Sequence, residues 1–262
     1  MTLYAHALRQ SWLPWLMWAL AVALFTLAVV SAASAVEVGP ALFTRLMASM
    51  PPRLLALFGG RALLSHPLES YLDAKLLSYL PLFGALLAAF QAASLARDLE
   101  RGRGDFLLSL PVTRAQVLGA RALALLTTVA ALWAATLATL ALCLRAYGFT
   151  VDLEPYLVLA YSGFLVDAVL AVGCLWLSAL ARTYREALRL ALGLALVPLV
   201  YDYALQMALA PRVWRLLLPY GYYDPPSAFA GHAFPWAATL VLIPAAVLAG
   251  ALAQLTFTRR EA

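Results

Sequence analysis

The chain has 262 residues, of which 65% are hydrophobic and 12% are charged, and its formal net charge is +5. A soluble domain carries about twice this share of charged residues. The composition excludes an ordinary soluble domain, because only lipid can cover so much apolar surface. The basic excess is small and gives little support to nucleic-acid binding, so we predict no nucleic-acid partner.

Six apolar segments are long enough to cross the hydrocarbon layer, which takes about 20 helical residues. Their continuous apolar runs favour helices over the alternating strands of a barrel. The first segment is too long for the apolar core of a signal peptide, about 7–15 residues, so we predict an uncleaved helix. We predict an all-α integral membrane protein with one transmembrane domain over residues 1–262. The predicted spans are residues 12–35, 76–96, 115–144, 155–181, 187–210 and 234–257.

Residues 36–75 form the longest predicted connection and join the first two spans. They contain two short amphipathic segments, at residues 42–50 and 54–58, which are separated by prolines and followed by glycines. Two interpretations are open. The segments are either helices that lie on the membrane surface or parts of a folded cap over the outer mouth of the bundle.

The distribution of basic residues between the loops predicts the orientation of the chain. The side that holds both termini carries eleven arginines, whereas the other side carries six arginines and Lys75. Cytoplasmic loops of membrane proteins are enriched in Lys and Arg. We therefore predict that both termini are cytoplasmic, that residues 36–75 are external, and that the chain is a multi-pass protein of the cell membrane.

Sequence motifs for catalysis are absent. There is no G-x-x-x-x-G-K-[ST] phosphate loop, and the single lysine, Lys75, follows Tyr-Leu-Asp-Ala rather than glycines. The three histidines, His6, His66 and His232, are scattered and have no metal-ligand neighbour at helical spacing. We predict no catalytic residue, no metal site and no cofactor in this chain.

One polar stretch interrupts the apolar chain between the second and third spans, at residues 97–114, and contains ERGRGDFLLSLPVTR from Glu100 onward. Its charges flank an apolar ridge, and two glycines, Gly102 and Gly104, allow a tight turn before the ridge, which Pro111 ends. One interpretation is an ordinary basic loop. The other is a short amphipathic element that another protein buries. The ridge consists of Phe106, Leu107, Leu108 and Leu110.

The same stretch resembles the signature of ABC-2-type transporter permeases, in which Glu-x-Gly-Thr precedes Leu-Leu-x-x-Pro-x-Ser/Thr-Arg. Arg103 replaces the usual threonine of that family, and Gly104 stands where an apolar residue is common. The resemblance implies that the segment is a cytoplasmic coupling helix, which docks in a groove of an ATP-binding subunit. We expect Glu100 to accept hydrogen bonds from backbone N–H groups at the start of that short helix. The residues that match the signature are Glu100, Gly102, Asp105, Leu107, Leu108, Pro111, Thr113 and Arg114.

The resemblance also implies partners and a function. The family places ATP hydrolysis on a separate chain, so ATP and Mg²⁺ are expected on an ABC ATP-binding partner subunit, present in two copies. A six-helix unit is normally half of a transport pathway, which implies a second permease copy or a homologous permease within the membrane lipids. The implied function is the permease subunit of an ATP-driven ABC transporter, and we expect an exporter.

Two aspartates lie inside predicted spans. Asp167 falls near the middle of the fourth span, and Asp202, between Tyr201 and Tyr203, falls toward the outer half of the fifth. A charge at such depth is costly and marks a candidate substrate or proton pathway. The structural alternative is that each aspartate is protonated, or is bonded to a hydroxyl or an arginine within the bundle.

Two other functions compete with the transporter subunit. An ion-driven carrier or integral-membrane enzyme would use Asp167 and Asp202 in its own chemistry. A membrane scaffold would bind an ATPase for signalling without moving a substrate. Dependence on a separate ATPase distinguishes the first of these from an ABC permease.

Overall fold

The computed structural model describes residues 3–37, 45, 49–51, 53, 67–100, 113–149, 152–229, 231 and 234–259. Six helices in this part of the chain have the length and composition to cross a membrane, and no strand occurs among these residues. The predicted all-α fold with six transmembrane helices is confirmed. The long helices are α1 (Leu3–Glu37), α3 (Leu80–Glu100), α4 (Arg114–Ala146), α5 (Glu154–Leu180), α6 (Tyr184–Met207) and α9 (Trp236–Arg259).

Short helical elements connect the long ones. They are α2 (Pro67–Lys75), α7 (Arg212–Arg215) and α8 (Pro225–Phe229), with 3₁₀ turns at Leu77–Tyr79 and Pro219–Tyr222. The second candidate span runs from Tyr71 to Asp98, so it includes the end of α2, the first 3₁₀ turn and most of α3.

The observed helix ends lie close to the predicted ones except at the start of α1. That helix begins at Leu3, nine residues before the predicted start at Trp12, whereas every other end of the long helices differs by at most four residues. The physical reason is that hydropathy marks only the apolar part of a helix. Residues 3–11 are more polar but are rich in good helix formers, which extend the helix beyond its apolar run.

The predicted external connection, residues 36–75, is described mainly at its end. There α2 packs against α1, and Leu72 and Ala74 are buried. The two amphipathic segments at residues 42–50 and 54–58 lie outside the described residues apart from positions 45, 49 and 50. Their assignment to the membrane surface or to a cap remains a prediction.

Helix α5 is the centre of the bundle. It packs against α3, α4, α6 and α9, and buried side chains occur along its whole length. At Gly163 the neighbouring helix comes so close that a Cβ atom would lie 2.2 Å from the ring of Trp133 in α4. Such close approach at small residues is the usual way in which helices associate in lipid. At the periphery, α6 and α9 expose large apolar side chains such as Val197 and Leu240, as lipid-facing helices do.

The long helices alternate in direction, so the bundle has two distinct ends. Gln10 near the start of α1, Asp98 near the end of α3 and Arg121 near the start of α4 meet in one hydrogen-bonded group. Tyr203, late in α6, donates to the carbonyl of Ser78, just before α3. We call the end with Gln10 the terminal end, since α1 starts and α9 finishes there, and the opposite end the distal end. Residues 101–112 join α3 to α4 at the terminal end.

Candidate functional site

The predicted coupling segment, residues 97–114, is described only at its two ends. Residues 101–112 lie outside the described residues. Gly102, Asp105, Phe106, Leu107, Leu108, Leu110 and Pro111 therefore keep the roles that the sequence predicts for them. Glu100, Thr113 and Arg114 lie in the described part, where their contacts can be examined.

Glu100 connects the end of α3 to the start of α6. Its Oε2 atom accepts a hydrogen bond of 3.0 Å from the backbone N–H of Tyr184, the first residue of α6. The Arg97 guanidinium lies over the Tyr184 ring at 5.7 Å from the ring centroid. A carboxylate at a helix N-terminus complements the helix dipole. In the structure the N–H group thus comes from α6, whereas we expected Glu100 to accept from the start of its own short helix.

Small residues hold α3 and α6 together beside that hydrogen bond. Ala93 and Ala96 of α3 pack in one fully buried cluster with Ala181 and Ala187, which flank the start of α6. Thr183 caps α6, because its hydroxyl accepts a 3.2 Å hydrogen bond from the backbone N–H of Glu186. The short turn between α5 and α6 is therefore fixed against the end of α3.

The other end of the coupling segment is fixed by a capping box. The Thr113 hydroxyl accepts from the backbone N–H of Gln116 at 3.2 Å, and the Gln116 side-chain oxygen accepts from the backbone N–H of Thr113 at 3.0 Å. This reciprocal pair satisfies two backbone donors that the helix leaves free. Helix α4 therefore starts at a defined residue, Arg114, directly after its cap Thr113.

A buried ion pair joins α3 and α4, with Asp98 inside the predicted coupling segment and Arg121 about two helical turns after its end. Arg121 Nη2 donates to Asp98 Oδ2, and the two side chains are 14% and 5% exposed. Arg121 also donates to the Ser94 hydroxyl at 3.2 Å, and Gln10 of α1 donates to the same Asp98 oxygen at 3.3 Å. In the sequence, Arg121 is one of the eleven arginines on the side that holds both termini, and Asp98 was not singled out. The available signal was that Arg121 falls inside the predicted span 115–144, where an arginine requires a partner.

Asp167 lies at the junction of three helices in the middle of the bundle. The Trp133 indole N–H of α4 donates to Asp167 Oδ2 at 2.7 Å. In α3, Gly84 leaves room for this carboxylate, because a Cβ atom there would lie 1.8 Å from the same oxygen. Asp167 is fully buried, and its Oδ1 atom has no hydrogen-bond partner among the described residues. The sequence singled out Asp167 but gave no signal for Trp133 or Gly84 as its neighbours.

Asp202 is paired with an arginine. Arg215 Nε donates to its Oδ1 at 2.9 Å, Arg215 Nη2 donates to its Oδ2 at 3.3 Å, and Gln206 Nε2 donates to Oδ2 at 2.7 Å. Among the described residues its tyrosine neighbours give it no hydrogen bond: Tyr201 is 48% exposed, and the Tyr203 hydroxyl donates to the Ser78 carbonyl. The structure thus places Asp202 in the arginine-bonded arrangement that the structural alternative describes. It lies in a different polar cluster from Asp167.

A cavity of about 280 Å³ opens beside Asp202 at the distal end. Asp73, buried at the start of the second span, lines it and accepts a 2.7 Å hydrogen bond from the Ser78 hydroxyl at Oδ1. Asp224 also lines it and forms a 2.9 Å ion pair with Arg212. Three tyrosines, Tyr203, Tyr220 and Tyr223, also line it, as does Arg215, the partner of Asp202. This cavity could not be predicted from the sequence, because its lining residues come from three separate parts of the chain.

A chain of contacts connects the cavity to Asp167. The Tyr223 hydroxyl donates to the Leu77 carbonyl at 2.9 Å, and burial raises the pKa of that phenol well above its usual range, so it stays protonated. Its ring lies 6.0 Å from the Trp133 ring, centroid to centroid. Trp133 in turn donates to Asp167. Trp133 and Tyr223 therefore lie between Asp167 and the cavity.

The fold and these clusters define a polytopic α-helical membrane protein in which the buried polar groups described above lie between helices. Among the described residues no group of three or more His, Cys, Asp or Glu side chains could hold a metal ion. A family model described as "ABC-2 family transporter protein" matches residues 3–261, essentially the whole chain. The chain belongs to this family, and the resemblance seen at residues 100–114 is confirmed.

Membership of the family sets the class of function. The chain is a multi-pass membrane protein and a transporter permease component, and permeases of this family are in general located in the plasma membrane. Permeases of this family are membrane subunits, typically without an ATPase site of their own, and they work with ABC ATP-binding partners. A search of curated proteins found no match.

Proposed function

We propose that this chain is the permease subunit of an ATP-driven ABC exporter, in which two separate ATP-binding subunits hydrolyse ATP and a second permease completes the pathway. The family match over residues 3–261 carries the proposal. The coupling signature at residues 100–114 supports it, since an apolar ridge flanked by charges is suited to burial by a partner protein. ATP and Mg²⁺ are bound by the partner subunits in this proposal.

The contacts around the coupling segment support a mechanism in which α3 and α4 move as one body. The Asp98–Arg121 ion pair ties the two helices together where they enter the segment. Deeper in the bundle the Thr128 hydroxyl of α4 donates to Gln91 Oε1 of α3 at 2.9 Å. The two helices that residues 101–112 connect are therefore joined by side-chain contacts at two depths in the bundle. A displacement of the segment by the ATP-binding subunits would move both helices.

Two further contacts would carry that displacement to the rest of the permease. The hydrogen bond from Tyr184 to Glu100 connects the end of α3 to α6. The hydrogen bond from Trp133 to Asp167 connects α4 to the central helix α5. In this mechanism ATP binding moves the terminal end, and the central contacts reorient α5 and α6 around the pathway.

The same proposal includes an orientation of the chain in the membrane, with the terminal end in the cytoplasm. The ATP-binding subunits act from the cytoplasm, so residues 101–112 and both termini lie on that side. The eleven arginines on the terminal side, against seven basic residues on the other, support this arrangement.

The test changes the apolar ridge of the coupling segment. The double variant Leu107→Asp with Leu108→Asp removes two leucines that the partner would bury, each worth about 1.5–3 kcal/mol. We expect binding of the ATP-binding subunit to fall at least about a hundredfold, since each 1.4 kcal/mol is about tenfold. Pull-down of the tagged permease from detergent and the ATPase turnover of the complex measure the effect.

The matched control changes two charges in the same segment. Arg101→Ala with Arg103→Ala removes two charges but leaves the apolar ridge intact; since an exposed ion pair typically contributes below about 1 kcal/mol, we expect the complex to persist. Full binding and coupled turnover in the double aspartate variant would show that the segment is only a basic loop, and would remove the proposed ATP coupling.

An ion-driven carrier is the second candidate function. It is favoured by one observation, the fully buried Asp167 carboxylate whose Oδ1 atom has no partner among the described residues. Transport by vesicles that contain the permease without any ATP-binding subunit, driven by a proton gradient alone, would support the carrier. Transport that requires the partner subunit and ATP would exclude it.

A further inference from the structure

We propose that the distal cavity is a binding site for a small organic ammonium ion, with Asp73 as its anionic partner. The proposal goes beyond the transporter assignment, because it concerns binding to this chain and does not depend on ATP coupling. It rests on the charge balance, the lining and the size of the cavity.

Within the described part of the chain, the charges around the cavity leave one carboxylate without a paired cation. Asp202 is paired with Arg215, and Asp224 is paired with Arg212, both at 2.9 Å. Asp73 has only the Ser78 hydroxyl at Oδ1, and among the described residues neither an arginine nor the lysine forms an ion pair with it. Asp73 is 1% exposed. A carboxylate buried so completely is costly unless it is neutralised or a positive charge compensates it, and an ammonium ion in the cavity would supply that charge.

The lining favours an organic cation over a metal ion. Tyr203, Tyr220 and Tyr223 line the cavity, and their hydroxyls donate to the carbonyls of Ser78, Ala195 and Leu77. Aromatic faces attract alkylammonium groups through cation–π interactions. The described residues offer no cluster of three metal-ligating side chains, and a metal ion generally requires several such ligands.

The size of the cavity limits the ligand. Its volume of about 280 Å³ lies at the lower limit of small-molecule sites, about 300–1,000 Å³. A compact ammonium ion with a few carbon atoms fits this space, whereas a drug-sized cation does not. Methylammonium and tetramethylammonium are therefore suitable probes.

The experiment measures binding of these probes to the purified chain in detergent by isothermal titration calorimetry. The key variant is Asp73→Asn, which keeps the size of the side chain and an oxygen that accepts from Ser78. The matched control is Asp152→Asn, the same chemical change at an exposed position of the same end. Asp152 Oδ1 accepts from the Glu154 backbone N–H, and an asparagine oxygen keeps that bond. Thermal unfolding checks that each variant is folded.

We expect at least tenfold weaker tetramethylammonium binding for Asp73→Asn and a change of less than twofold for Asp152→Asn. Two comparisons use only the unaltered chain, so they decide the question even if Asp73→Asn does not fold. Neopentyl alcohol, a neutral molecule of similar size, should not bind, and Na⁺, K⁺ or Mg²⁺ at tenfold excess should not displace the probe. The proposal is overturned by absence of saturable binding, by equal binding of the neutral molecule, by displacement by a metal ion, or by unchanged affinity in folded Asp73→Asn. None of these outcomes depends on ATP, so they leave the transporter assignment untouched.

Discussion

Asp98 and Arg121 form a largely buried ion pair between the end of α3 and the start of α4, the two helices that enclose the coupling segment. The two residues lie 23 positions apart in sequence, and their ion pair links the end of α3 to the start of α4. Asp98 Oδ1 has no hydrogen-bond partner in the described part of the chain, so Arg121 and Gln10 supply its bonds through Oδ2 alone. Loss of Arg121 would therefore leave a buried and poorly compensated carboxylate.

The first prediction concerns this pair. Arg121→Gln or Asp98→Asn should each lower the free energy of unfolding by about 3–5 kcal/mol, because a buried charge loses its partner. The double variant should lose less than the sum of the two, since no uncompensated charge remains. Chemical unfolding of the permease in detergent measures the three values in a double-mutant cycle. Strictly additive losses would show that the two side chains are not energetically coupled.

The second prediction concerns Gly84. Gly84→Ala places a methyl group 1.8 Å from Asp167 Oδ2, so the carboxylate must leave its position beside Trp133 or the helices must move apart, at a cost of about 1–3 kcal/mol. Gly193→Ala in α6 is the matched control, because a Cβ atom there meets nothing within 4 Å. We expect the control to be neutral or slightly stabilising, as alanine favours helix over glycine. Thermal unfolding and transport measure both variants; equal behaviour would contradict the close contact of α3 with Asp167.

The third prediction separates a pathway role from a structural role for the two intramembrane aspartates. Asp202→Asn should lower stability, because it leaves the Arg215 charge without its carboxylate. Asp167→Asn keeps an oxygen for the Trp133 indole, so the variant should assemble normally. If Asp167 contacts a substrate or a translocated proton, the substrate-stimulated ATPase activity of the complex that contains Asp167→Asn should nevertheless fall about tenfold or more. Normal activity in Asp167→Asn would assign this residue a purely structural role.

The fourth prediction concerns topology. Single cysteines at Arg185 and Asp152, both exposed, report on opposite ends of the bundle. In a background without Cys143 and Cys174, a membrane-impermeant thiol reagent added to intact cells should label position 152 and leave position 185 protected. The reason is the excess of arginine at the terminal end, which directs that end to the cytoplasm. The reverse labelling pattern would contradict the proposed orientation; labelling of both positions after lysis confirms that each cysteine is reactive.

The sequence by itself determined the class of the protein. A membrane span requires about 20 apolar residues in a row, so six runs of that length establish six helices without reference to their packing. The coupling signature is also local, because Glu100, Pro111 and Arg114 are recognised by spacing along the chain. Both features are set by residues close together in sequence, so they can be recognised without knowledge of the fold.

The partners of the polar residues were decided only by the tertiary structure. Asp202 has tyrosines on both sides in sequence, yet it pairs with Arg215, 13 residues away. Asp167 required Trp133 of α4 and Gly84 of α3, and Asp73, which the sequence placed in a loop, lines the distal cavity. Which side chain meets which depends on how each helix is rotated and how closely it approaches its neighbours. In lipid that arrangement follows from packing between small residues and from interhelical hydrogen bonds, and neither is encoded in the apolar pattern that identifies the helices.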